Sequence, residues 1–189
     1  TSSSTSRANV RPGDEDREDV ETSFFFSGAF RPRTDEATVV FPLTDDVPDD
    51  LVGAFLRIGP NPAFDFTGKP YHVFDGDGMV HAVSFPPVEA PGARREATYA
   101  NRWVRTRALR KDDAQGFSFS IMGEASQIGQ TQSLAWVPFA RDLADAGRAN
   151  TSLVWHAPSQ RLLALFEQDK PYALDPSTLE TLGRVDAFQ

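Results

Sequence analysis

The chain has 189 residues, with 27 acidic against 19 basic side chains and a net charge of −8. This length is enough for one domain with a real core, and the acidity argues against nucleic acid as a partner, because phosphate binding needs a basic face. Cysteine is absent, which excludes disulfides, thiolate-ligated zinc, iron–sulfur clusters and thiol nucleophiles.

No run is long and apolar enough to span a membrane as a helix, and the first residues carry no secretory apolar core. Fifteen phenylalanines, 13 glycines and 14 prolines suit many short strands and turns rather than long helices. The chain begins without Met and ends directly after a strand-like segment, so it is expected to be part of something longer.

Residues 1–22 read as a disordered acidic leader. TSSSTS is low in complexity, and the run Asp14-Glu15-Asp16-Arg17-Glu18-Asp19 has nothing apolar to bury. Residues 23–189 are read as folded. Phe24-Phe25-Phe26 opens that part, and residues 38–41 form a short strand. Residues 54–58 form another, which Gly59-Pro60-Asn61-Pro62 is expected to stop, since proline does not sit inside a sheet ladder.

The stretch YHVF-DGDG-MVHAVSF (71–85) has the pattern of a β-hairpin. Gly76 and Gly78 supply the turn, and the register sets His72 against His81. Two imidazoles on one face invite a metal, but Asp75 and Asp77 belong to the turn, so the preferred reading is turn hydrogen bonds and cross-strand packing. A calcium loop is discounted because Met79 takes the third oxygen position and no closing Glu follows.

Residues 96–106 have strand composition, with Arg102, Arg105 and Arg107 as a small basic patch. Residues 116–131 read as a loop or insertion, and 139–146 as a short helix ended by Gly147. From Thr151 onward SLVWHA, RLLALFE, YAL and LETLGRV are strand-like and joined by short turns. Such a meander is the size of one β-propeller blade, and a β-sandwich fits the same pattern. Alternation in RLLALFE places Glu167 on the side of Leu163 and Leu165. Glu167 is then either an inward carboxylate needing a partner, or a strand-end side chain in water or paired with Lys170. A glycosidase would need two carboxylates facing each other across a cleft, which the turn placement of Asp75 and Asp77 opposes.

GAFLRIGPNP, YHVFDGDGMVHAV, YANRWVRT, NTSLVW and LLALFE…PYALDPSTLETLG together resemble the carotenoid cleavage oxygenase family, which includes stilbene-cleaving dioxygenases and the vertebrate retinoid isomerase. The resemblance implies an all-β fold, a seven-bladed β-propeller of which this chain supplies only the first blades. It implies a non-haem iron(II) dioxygenase that cuts a conjugated double bond of a carotenoid, apocarotenoid or stilbene into two carbonyl products. The implied partners are an apolar conjugated substrate and dioxygen, with peripheral membrane contact through parts outside this chain.

The resemblance assigns the four iron-ligand histidines to positions beyond residue 189, so Fe(2+) is implied for the whole protein and no metal ligand for this chain. His72, His81 and His156 match structural positions, and the 189 residues alone are expected to be inactive. Glu167 aligns with a glutamate that hydrogen-bonds a ligand histidine, and Trp103 and Phe166 align near the substrate tunnel. The sequence does not fix the compartment, with cytoplasm or plastid as the expectation. The alternative is a non-catalytic β-sandwich or propeller-like binding module.

Overall fold

A computed structural model describes residues 28–64, 74, 76–90, 94–115, 147–167 and 169–186. The leader, Phe24-Phe25-Phe26, His72, Asp75, the 116–131 loop and the 139–146 helix lie outside the described residues.

Among the described residues, eight strands form two four-stranded antiparallel sheets. The first contains β1 (Ala37–Pro42), β2 (Gly53–Asn61), β3 (Asp77–Phe85) and β4 (Glu96–Trp103) in the order β1-β4-β3-β2. The second is a plain meander of β5 (Ser152–His156), β6 (Arg161–Phe166), β7 (Asp169–Leu174) and β8 (Thr181–Arg184). A short helix, α1 (Arg107–Gln115), follows β4.

Alternation along β3 divides the first sheet into two faces. Val80 and Ala82 pack with Leu56, Ile58 and Ala100 from neighbouring strands, and against Leu162, Ala164, Tyr172 and Leu174 of the second sheet. This is the core that joins the sheets, and β2 lies beside β5 along it. Full burial of such aliphatic side chains contributes about 1.5–3 kcal/mol each. The opposite face carries His81, Val83, Arg57, Phe55, Tyr99 and Asn101, which the strand registers bring side by side.

Three sequence expectations change. β2 runs through Gly59 and Pro60 to Asn61 instead of stopping at Ile58. It is an edge strand, and its partner at Pro60 is Gly78, whose N–H and C=O both point away, to Arg148 and Val104. A proline there forfeits no ladder bond. Pro171 likewise sits within β7, beside the register shift where β6 and β7 fall out of step.

The expected 71–85 hairpin is replaced by a different pairing. β3 has β2 on one edge and β4 on the other, so His81 faces Arg57 and Asn101, and no edge is left for His72. A strand has only two hydrogen-bonding edges, and the longer-range partners occupy both.

The third change is the end of β4, which stops at Trp103 short of the expected Thr106 and is followed by α1, over residues for which the sequence pattern names no element. Thr106 caps the helix by accepting a hydrogen bond from the Leu109 N–H at 3.0 Å. Ala108, Leu109 and Asp112 turn inward.

No helix among the described residues is long and apolar enough to cross a membrane.

Candidate functional site

The Asp77-Gly78 step, where β3 begins, is clamped to residues 147–150. Asp77, Asp112 and Arg148 are all buried. Arg148 Nη1 donates to Asp77 Oδ1 at 2.7 Å and to Asp112 Oδ2 at 2.5 Å. Asn150 Nδ2 donates to the Gly76 carbonyl at 2.6 Å, and the Gly78 N–H donates to the Arg148 carbonyl at 2.8 Å. Burial pushes the Asp77 carboxyl above its ordinary range although Arg148 pulls the other way.

Asp77 therefore does not close a local turn, as the sequence pattern implied. It reaches across the chain to tie the first sheet to the segment that enters the second. Gly76 and Gly78 are needed for close approach rather than for a left-handed backbone. A Cβ on Gly78 would fall onto the Ala149 carbonyl, and one on Gly76 onto the Asn61 backbone, and neither glycine has positive φ.

The open face of the first sheet is crossed by a strap that starts with one turn of 3₁₀ helix (Gly28–Phe30). The Arg33 N–H donates to Asn61 Oδ1 at 2.9 Å, and the buried Asn101 side chain donates to the Asp35 carbonyl and accepts from the Ala37 N–H, both at 2.8 Å. Beneath the strap is a cavity of about 490 Å³, walled by Phe30, Phe55, Pro60 and Val83, with Arg31, Arg33, Arg57, His81 and Tyr99 as its polar lining. His81 Nδ1 and the Tyr99 hydroxyl are 2.8 Å apart. Burial, then the nearby Arg57 and Arg33, hold the imidazole below its ordinary value.

Glu167 directly follows β6 and is exposed. Its Oε2 accepts a hydrogen bond from Thr151 Oγ1 at 3.0 Å. Lys170 is engaged elsewhere, donating to Asp186 Oδ1 at 2.9 Å. Phe166 is half-buried at the end of β6. Trp103 is buried against Met79 and Leu109, with Ala63 and Phe64 alongside.

Two side chains of the expected basic patch, Arg102 and Arg105, are fasteners, and Arg107 is tied in through its backbone. Arg102 donates to the Ala37 carbonyl and to Thr38 Oγ1, both at 2.8 Å. Arg105 pairs with Glu36 at 3.1 Å, and the Arg107 N–H donates to the Tyr172 hydroxyl at 2.9 Å.

His156 Nδ1 lies 2.7 Å from Ser159 Oγ. Among the described residues no three His, Asp or Glu side chains come together as a metal-ligand set, so those residues do not fit an iron centre by themselves. Sequence reading missed Arg148, Asp112, Asn101 and the Arg57–His81–Tyr99 grouping, because each depends on partners far away in the chain. Thr106 followed by RALRKDDAQ was a legible helix start.

The two four-stranded antiparallel sheets, joined through an aliphatic core, define an all-β protein that supplies blades of a propeller. Residues 30–188 match the family model described as retinal pigment epithelial membrane protein. The chain belongs to the carotenoid cleavage oxygenase family.

It is 35% identical to the carotenoid 9,10(9',10')-cleavage dioxygenase 1 of Arabidopsis thaliana, over 86% of this chain and 30% of that protein. It is 31% identical to a carotenoid cleavage oxygenase of Mycobacterium tuberculosis, over 86% of this chain and 28% of that protein. Among solved structures it resembles the lignostilbene dioxygenase of Pseudomonas brassicacearum, with a TM-score of 0.64 and 29% identity over 87% of this chain and 31% of that one. The chain thus spans about 30% of the length of the relatives it matches.

Proposed function

We propose that the protein to which this chain contributes is a dioxygenase that oxidatively cleaves a conjugated carbon–carbon double bond of a carotenoid, apocarotenoid or stilbene, yielding two carbonyl products. The observation that carries this is family membership over residues 30–188, together with relatives named for carotenoid and lignostilbene cleavage. An apolar conjugated substrate and dioxygen are its partners, and cytoplasm or plastid its compartment. Iron(II), held by histidines outside this chain, is the cofactor that accompanies the reading, and the 189 residues alone are inactive.

Within this chain, Glu167 is the residue assigned to the chemistry. Its carboxylate stands at the exposed end of β6, free of Lys170, and Thr151 steadies one of its oxygens. A carboxylate so placed accepts the second N–H of a ligand imidazole from another blade and fixes the orientation of the ring. Phe166, immediately before it, is assigned with Trp103 to the lining of the substrate tunnel. One matched Synechocystis apocarotenoid oxygenase structure carries a substitution of a glutamate, and another a substitution of the tryptophan preceding a glutamate; Phe166-Glu167 is an aromatic–glutamate dipeptide of the same kind.

The test uses the full-length protein, a stilbene and an apocarotenoid, with oxygen uptake and aldehyde products as readouts. Glu167→Gln is expected to lower turnover or metal content about 10- to 100-fold at unchanged thermal stability. Oxygen uptake without carbonyl products, or none with either substrate class, overturns the reading.

A further inference from the structure

We propose that the cavity between the 29–33 strap and the open face of the first sheet binds a small organic anion, a carboxylate carried on an apolar body. The inference is independent of the cleavage reading, since it concerns the face turned away from the second sheet.

Three guanidinium groups, Arg31, Arg33 and Arg57, line one cavity, and among the described residues no carboxylate lines it with them. Among the described residues none of the three forms an ion pair. Arg95, Arg105, Arg148 and Arg184 each reach a carboxylate, whereas these three converge on one cavity. Cations held together without a counter-ion repel one another, and a bound anion relieves that cost.

The backbone fixes the group from two sides. Arg57 is the direct cross-strand partner of His81, whereas Arg33 is anchored through its N–H to Asn61 on the edge strand. The Tyr99 hydroxyl and the imidazole, 2.8 Å apart, add hydrogen-bonding capacity at the floor. Guanidinium forks match a carboxylate in a bidentate manner.

The walls decide the rest of the ligand. Phe30, Phe55, Pro60 and Val83 are apolar, and about 490 Å³ falls within the size of ordinary small-molecule sites. An inorganic oxyanion would leave those walls unused, so the class is an organic acid with an aromatic or aliphatic body.

The probes are sodium benzoate, benzyl alcohol and inorganic phosphate, titrated calorimetrically into the full-length protein near neutral pH at low salt. Benzoate is expected to bind saturably, and more tightly than either phosphate or benzyl alcohol. Arg57→Gln, on β2, and Arg33→Gln, on the strap, are each expected to weaken benzoate on the order of tenfold, with melting temperatures unchanged because both side chains are exposed. Benzoate binding that is absent, that is indifferent to both substitutions, or that is matched by benzyl alcohol overturns the proposal. Phosphate binding as tightly as benzoate overturns the organic class.

Discussion

Arg148 and Asp77 meet at 2.7 Å with both side chains buried, 71 residues apart in sequence. Asp112 shares the same guanidinium, so one cation holds two carboxylates at the junction of β3, α1 and the segment leading into the second sheet. Arg148→Met removes the buried cation that Asp77 and Asp112 share. The expected loss is about 3–5 kcal/mol, read as a lower urea midpoint of the full-length protein at unchanged m-value.

The same junction predicts a pH dependence. Burial raises the folded pKa of Asp77 above its ordinary 3.8, so the folded state binds its proton more tightly than the unfolded state does. The stability this contributes is fully present below pH 3.8 and is lost as pH rises through the raised value. Asp77→Asn is expected to remove that slope, as seen by comparing urea midpoints of the two proteins across the acid range. A slope unchanged in the variant assigns it to other groups.

Gly78 tests the close approach. Gly78→Ala drives a methyl onto the Ala149 carbonyl, with no side chain able to move aside. A destabilisation of about 1–3 kcal/mol or more is expected from such overpacking. Gly59→Ala, with open space around it, serves as the control and is expected to stay within about 0.5 kcal/mol.

Asp175 shows the opposite behaviour at the surface. Its Oδ1 accepts hydrogen bonds from the Ser177 hydroxyl at 2.6 Å and from the Ser177 and Thr178 N–H groups at 2.9 Å. The Ser177 hydroxyl leads in holding the carboxyl down to about 2. The turn order this contributes is present above pH 3.8 and is lost as pH falls through about 2. Asp175→Ala is expected to speed amide hydrogen exchange at Ser177 and Thr178 at neutral pH, while leaving β6 protected.

Trp103 and Leu109 share the cluster at the far end of the first sheet. Trp103→Ala is expected to cost about 3–5 kcal/mol by cavity formation, measured by denaturant unfolding. A loss below about 1 kcal/mol would mean that the ring is not serving as packing there.

Much was legible in the sequence because it is local. Alternation and short turns announced the four strands from Ser152 to Arg184, and the family resemblance was carried by contiguous motifs such as YHVFDGDGMVHAV. Acidity, the absence of cysteine and the Gly/Pro content followed from counting. What tertiary structure alone decided were choices between partners. His81 took Arg57 and Asn101 as neighbours in place of His72, because both edges of β3 were claimed by strands outside the stretch around it. Asp77 took Arg148 in place of its own turn, because a buried carboxylate must find its cation wherever the fold delivers one. Local pattern fixes which residues can form a strand or a turn. Which edge and which charge they meet is settled only when distant segments are packed together.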